Sequence, residues 1–428
     1  MKLWQKKGNN LNEKVDSFTV GKDREYDMVL AEFDCEASIA HVKMLGRVGL
    51  INNDEVKQLC LVLDEIKKEI KNKTFKIEKE FEDVHSKIEY FLTKRLGEVG
   101  KKVHTARSRN DQVLVAMHLY VKKELSEIKS KIIKLFDLLL SLAEKYQDNL
   151  LPGYTHLQIA MPSSFGLWFS AYAECLIDDL YFWQSAYKIA DQNPLGSAAG
   201  FGSSFPIDRD LTTKILGFSE LKINSVAAQM SRGKLEKSVA ISLSTFGDTL
   251  SKFCMDICLY MGQDYDFISF PNDFTTGSSI MPHKKNPDLF ELARAKFNVI
   301  KGLPNQLTLL TSNLPSGYHR DLQQAKGAII ESINETKECL EILLLSLPKI
   351  KVSNYITDKK KYDYLFTVEA LNKEVLNGKT FRDAYKNLAK VIENGKFKPD
   401  RKISHKHIGS LGNLGLDKLK EKIKPFLS

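Results

Sequence analysis

From Leu114 onward the apolar positions fall at Met117, Val121, Leu125, Ile128, Ile132, Leu135, Leu139 and Leu142. Steps of three and four put these side chains on one stripe, and at 1.5 Å per residue they predict one helix about 45 Å long. Leu235, Val239, Leu243, Phe246, Leu250, Phe253 and Ile257 repeat the spacing. Helical patterns also cover Ser163 to Ala190, Pro287 to Leu310 and Gln323 to Leu347. Several long helices, each with an apolar stripe to bury, imply a bundle. There is no internal repeat, no low-complexity segment and no alternating series long enough for a sheet core. The expected fold class is all-α.

Between the helical patterns lie Gly-, Ser- and Pro-rich stretches, Leu151 to Pro162, Asn193 to Pro206 and Pro271 to Pro287, which read as loops near bundle ends. Residues 1–108 carry shorter, less regular helical patterns. The tail after about Tyr355 is Lys-rich, and Gly409, Gly412 and Gly415 divide it into segments fit only for small helices. Three domains are expected: 1–108 N-terminal and helical, 109–355 the central long-helix bundle, and 356–428 small, C-terminal and helical.

The 428 residues, 43% apolar and 27% charged, suffice for a large core. No apolar run approaches the roughly 20 residues that span a bilayer, and Met1 to Lys7 lacks the apolar stretch of a secretion signal. A cytoplasmic protein without membrane contact is expected. The six cysteines form no CxxC pair, so neither a disulfide framework nor a zinc site is indicated; Cys254 and Cys258, one turn apart in an apolar stretch, read as buried thiols. The net charge of +9 resides largely in Lys-rich faces without interleaved aromatics, so nucleic-acid binding is not expected. The balance favours an anionic small-molecule substrate, and no cluster suggests a metal or cofactor.

The segment Thr276-Gly-Ser-Ser-Ile-Met-Pro-His-Lys-Lys-Asn-Pro-Asp288 sets hydroxyls before two cations and an amide. Asn286 and Pro287 read as the N-cap and first position of a helix whose N-terminus favours negative charge. The residues alone leave an anion-binding loop and a capped interhelical turn equally open. Gly277-Ser-Ser-Ile-Met-Pro-x-Lys-x-Asn-Pro287, however, resembles the signature loop of the fumarase/aspartase superfamily, whose members eliminate fumarate from succinyl compounds. His104-Thr-Ala-Arg-Ser-Arg-Asn-Asp-Gln-Val113 resembles a segment of argininosuccinate lyases, with Ala106 for the usual Gly. Gly153 to Gln158, Pro194 to Gly200 with Phe205 to Arg209, and Tyr318 to Gln323 with Lys326 agree. The resemblance runs from Leu3-Trp4 to about Lys326, with fragments at Gly378 and Phe381 to Tyr385.

The resemblance implies a carbon–nitrogen (amidine) lyase of arginine biosynthesis, which splits argininosuccinate reversibly into arginine and fumarate with no cofactor. Removing a weakly acidic proton beside a carboxylate and expelling a nitrogen requires a base, a stabiliser of negative charge and an acid. By position Ser278 is the base, Lys284 and Asn286 hold the carboxylate whose charge grows, and His156, hydrogen-bonded to Glu291, protonates the leaving nitrogen. Substrate contacts fall on Ser38, Arg109, Asn110, Thr155, Arg232, Tyr318, Gln323 and Lys326, with His85 near the site and Asp83 toward the arginine end. The family further implies a homotetramer whose active sites are shared between subunits.

Three departures accompany the resemblance. His283 stands where Gln is usual, a feature similar to adenylosuccinate lyases. Arg232 lacks its usual acidic flanks, and the tail is short. The alternatives are therefore an adenylosuccinate lyase-type enzyme and an inactive, crystallin-like structural homologue; the intact set of Ser278, Lys284, Asn286, His156 and Glu291 argues against the second.

Overall fold

A computed structural model describes residues 12–403 and 405–427; the opening Met1 to Lys7, with Leu3 and Trp4, lies outside them. The described residues form α1 (Glu13–Val20), α2 (Asp23–Arg47), α3 (Asn53–Lys71), α4 (Val84–Leu96), α5 (Glu98–Lys101), α6 (Arg109–Lys145), α7 (Phe165–Ala190), α8 (Arg209–Ile215), α9 (Ser225–Met230), α10 (Lys234–Met261), α11 (Asp288–Ile300), α12 (Leu303–Leu310), α13 (Gln323–Ser346), α14 (Thr367–Leu376), α15 (Phe381–Glu393) and α16 (Leu416–Lys422). Strands are confined to three two-stranded ladders. This is the expected all-α, long-helix architecture. The chain groups into two compact units, one from the described part of Met1–Ile128 with Phe182–Thr245 and Val299–Glu335, the other from Lys129–Tyr181, Phe246–Asn298 and the described part of Thr336–Ser428.

In the first unit α2, α3 and α4 pack around Ala31, Cys35, Leu45, Leu59, Leu63, Ile66 and Leu92. α3 opens on a capping box: the Asn52 side chain accepts from Asp54 N and Glu55 N, and Glu55 accepts from Asn52 N. α2 has 25 residues, longer than the irregular pattern before residue 108 predicts. Its inner face buries Asp34, Ser38 and His41 among the apolar residues, which breaks the stripe without breaking the helix. The α6 stripe from Leu114 to Ile128 and the α10 stripe from Leu235 to Leu243 are buried here.

In the second unit the same helices continue with Ile132, Leu135, Leu139 and Leu142 buried from α6, and Phe246, Leu250, Phe253 and Ile257 from α10. Each such side chain contributes about 1.5–3 kcal/mol of burial energy. Trp168 and Phe253 stack at 5.2 Å, and Asp256 Oδ2 accepts from Trp168 Nε1 at 2.9 Å and Tyr172 OH at 2.7 Å. Cys254 is buried and Cys258 half-buried; burial pushes the Cys258 thiol up to about 11 and Cys254 higher still.

Two expectations change. Leu151 to Pro162 is not an irregular loop: β1 (Leu150–Thr155) pairs antiparallel with β2 (Gln158–Ser164) around a two-residue turn. The turn residues His156 and Leu157 have φ of 55° and 59°, the left-handed pair of a tight hairpin, normally signalled by Asn-Gly and absent here. The helix from Pro287 to Leu310 is interrupted between α11 and α12. Pro304 lacks the N–H that would bond the carbonyl four residues earlier, and its ring clashes with that turn.

Candidate active site

The first unit gathers most of the anticipated binding residues. A cavity of about 270 Å³ is lined by Asp83, His85, Arg109, Asn110, Arg232, Tyr318, Gln323 and Lys326, together with four residues the sequence had not marked, Asp23, Asp27, Glu82 and Arg320. Lys326, 2% exposed, pairs with Asp27 and, at 2.6 Å, with Asp23. Asp27 Oδ2 accepts from Val84 N at 3.1 Å, which ties α2 to the start of α4. Burial raises the Asp23 carboxyl above its ordinary range against the pull of Lys326, and neighbouring Asp27 adds to the rise. Asp23 and Asp27 are four residues apart on α2 and so share a face. Only that spacing, in a region of weak periodicity, signalled them in the sequence.

Asp83 caps α4, accepting from Ser86 N at 2.8 Å and Ser86 Oγ at 2.6 Å, while its other oxygen meets Arg109 at 3.1 Å. Burial alone would raise its carboxyl; His85, Arg109 and the Ser86 bonds outweigh it and hold the group below the usual range. Arg109 also donates to Glu82 at 3.0 Å, and Arg320 reaches the second Glu82 oxygen at 3.2 Å. The Arg232 guanidinium lies 5.3 Å from the Tyr318 ring centroid. Gln323 Nε2 donates to Thr19 O at 3.0 Å, and its amide oxygen accepts from Arg320 at 3.2 Å.

Beneath the cavity, His85 Nδ1 lies 3.1 Å from Asp34 Oδ1. Burial works against the charged ring, but Asp34, Asp83 and Asp27 overcome it and the His85 pKa is raised. Ser38 departs from the expected substrate contact. It is buried on α2 and accepts from Arg107 Nη1 at 2.8 Å, so its hydroxyl faces a buried arginine and does not line the cavity. Asp111, at the start of α6, accepts from Ser108 N at 2.9 Å, Gly196 N at 3.2 Å and Ala198 N at 3.1 Å, which anchors the Pro194 to Gly200 stretch.

The second unit holds the loop. Thr276 and Asn286 exchange backbone hydrogen bonds at 3.3 and 2.8 Å and close its neck. Ser278 Oγ accepts from Ile280 N at 3.3 Å and Met281 N at 3.2 Å, so two amides face the oxygen. The helix begins at Asp288, and Asn286 does not act as its cap: Asn286 Nδ2 donates back to Gly277 O at 3.3 Å. Glu291 N bonds Pro287 O at 3.1 Å in the first turn of α11. Lys284, Asn286 and Glu291 line a cavity of about 500 Å³ with Met281, His283 and Cys258.

Thr155 and His156 sit at the tip of the β1–β2 hairpin, exposed. The expected hydrogen bond between His156 and Glu291 is not formed within one chain: among the described residues the Glu291 carboxylate is nearest Arg294, at 3.9 Å, and His156 has no hydrogen-bond partner. The hairpin is the reason, since its left-handed turn residues hold the ring outward. Among the described residues no group of three or more His, Cys, Asp or Glu is placed to hold a metal ion, and no helix is long and apolar enough to cross a membrane.

Set against known proteins, residues 15–302 match a family described as lyase. The chain is 50% identical over 418 residues to an argininosuccinate lyase of Phocaeicola vulgatus, covering 98% of this chain and 94% of that one. It is 41% identical to an argininosuccinate lyase of Thermotoga neapolitana, covering 91% and 97%. A crystal structure of a class II fumarase from Schistosoma mansoni shares the fold, with a TM-score of 0.70 at 15% identity over 96% of this chain and 94% of the other. With half its positions matched over nearly its whole length, the chain belongs to the argininosuccinate lyase family.

Proposed function

We propose that the protein eliminates arginine from argininosuccinate and releases fumarate, in a reversible carbon–nitrogen lyase reaction of arginine biosynthesis. The observation that carries the mechanism is the closed loop on α11: Ser278 Oγ faces two amide donors, and Lys284 and Asn286 stand on the loop's far side. Ser278 takes the proton beside the succinyl carboxylate, and the amides of Ile280 and Met281 stabilise the charge its oxygen gains. Lys284 and Asn286 bind the carboxylate whose charge rises as the proton leaves, an interaction stronger in the transition state than before it. His156 protonates the departing nitrogen, with Glu291 orienting the ring once the two are brought together. The cavity of the first unit receives the remainder of the substrate through Arg109, Asn110, Arg232, Tyr318, Gln323 and Lys326.

The exposed His156 and the absent contact with Glu291 support a homotetramer in which each site is completed by other subunits. A cytoplasmic location and the division into 1–108, 109–355 and 356–428 complete the reading. Fumarate release, followed by ultraviolet absorbance, tests it with argininosuccinate and adenylosuccinate offered separately. Release from argininosuccinate alone is expected; release from adenylosuccinate alone assigns the other substrate, and full activity in a verified monomer sinks the shared site.

A further inference from the structure

Four carboxylates line the cavity of the first unit, and seven of their eight oxygens have partners. Asp27 meets Lys326 and Val84 N; Glu82 meets Arg320 and Arg109; Asp83 meets Ser86 and Arg109. Asp23 Oδ1 meets Lys326. The eighth, Asp23 Oδ2, has none among the described residues, although the side chain is only 20% exposed. Asp23 and Asp27 therefore share a single ammonium, and a desolvated carboxylate in that position favours a second cation. On the same cavity, Arg232 is 7% exposed and its buried Nε donor has no hydrogen-bond partner. Its charge acts on the Asp23 carboxyl, so an acceptor short of a cation and a donor short of an anion face one space.

We propose that Asp23 and Arg232 clamp the α-amino-acid head of the substrate, Asp23 taking the ammonium and Arg232 the carboxylate, and that the site thereby selects a free α-amino group over an acylated one. The proposal deepens the lyase reading, since the arginine half of the substrate carries such a head. An arginine fork suits the carboxylate. An acylated nitrogen has neither the charge nor the donors to satisfy Asp23 Oδ2, and it would leave that oxygen buried and unpaired. Asp23 lies at the first residue of α2, so a fixed helix end sets its position.

Equilibrium binding by calorimetry, on the full-length enzyme without turnover, tests the clamp with L-arginine, agmatine, which lacks the carboxylate, and Nα-acetylarginine, which lacks the ammonium. The wild type should prefer arginine to both. Asp23→Asn, which keeps the shape and the oxygen facing Lys326, should weaken arginine and agmatine roughly 10- to 100-fold while Nα-acetylarginine shifts less than about twofold. Arg232→Gln should weaken arginine and Nα-acetylarginine and spare agmatine. Asp23→Glu keeps the charge and should retain the preference for a free amine, so it carries the comparison if Asp23→Asn does not fold. Equal losses of all three ligands in Asp23→Asn, or wild-type binding of Nα-acetylarginine as tight as that of arginine, would overturn the clamp. Fumarate release is scored separately: its absence beside an intact arginine preference sinks the lyase reading, and its presence without that preference sinks the clamp.

Discussion

Replacing Ser278 by Ala removes one oxygen from a loop that is otherwise self-supporting. The neck is held by the Thr276–Asn286 backbone pair and by Asn286 Nδ2 on Gly277 O, and neither uses the Ser278 hydroxyl. That hydroxyl accepts two bonds at 3.2 and 3.3 Å, long contacts on a half-buried group, and their loss should cost stability about 0.5 kcal/mol. For the reaction the same oxygen weighs far more. Hydrogen bonds to an ionised acceptor contribute about 1.5–3 kcal/mol each, and on a partly exposed oxygen two of them near the lower bound give about 3 kcal/mol. A positioned base supplies about 10²–10⁴ in rate, or about 2.7–5.5 kcal/mol of barrier. The variant should therefore lose two to four orders of magnitude in kcat for fumarate release, with KM changed a few-fold and the urea midpoint unmoved. A kcat within tenfold of wild type would refute the assignment of Ser278 as base, and a collapsed urea midpoint would refute the account of the loop as self-supporting.

Lys284→Met should lower kcat by about 10²–10³ without changing thermal stability, because Lys284 is exposed and among the described residues has no side-chain partner; an unchanged kcat removes it from the carboxylate site. His41 and His118 are buried as neutral rings, donating to Thr105 O and Ala190 O, and burial lowers them to about 3 and about 4. The unfolded chain takes up these protons below about pH 6.5 and the folded chain does not. Each ring should thus cost about 1.4 kcal/mol of stability per pH unit as pH falls from 6.5 toward its folded value, and urea midpoints of His118→Gln should show a flatter acid limb. His85 works in the opposite sense: its raised value contributes stability that is complete below about pH 6.5 and is lost as pH rises through the folded value. His85→Gln should remove that loss. At Gly327 an added Cβ would lie 2.4 Å from the Tyr26 ring, which is pinned by its hydroxyl on Glu331 at 2.6 Å. Gly327→Ala should therefore destabilise by about 1–3 kcal/mol, and an unaltered melting temperature would mean that α2 and α13 can separate freely.

The sequence by itself determined the long helices of α6, α7, α10 and α13, since a buried stripe must repeat every three or four residues and the pattern is uninterrupted in each. It also determined the loop that ends at α11, whose run of residues from Gly277 to Pro287 is specific enough to be read without any contact. Tertiary structure decided the rest. The β1–β2 hairpin turns on left-handed His156 and Leu157, residues whose types do not announce that conformation, so its pairing and the outward direction of His156 were invisible locally. Ser38 is assigned to Arg107, and Asp23 and Asp27 to Lys326, by partners 69, 303 and 299 positions away. A carboxylate has the same letter whether it caps a helix, neutralises a buried lysine or awaits a ligand. Which of these it does depends on what desolvates it and which charges reach it, and those are set only when distant segments pack.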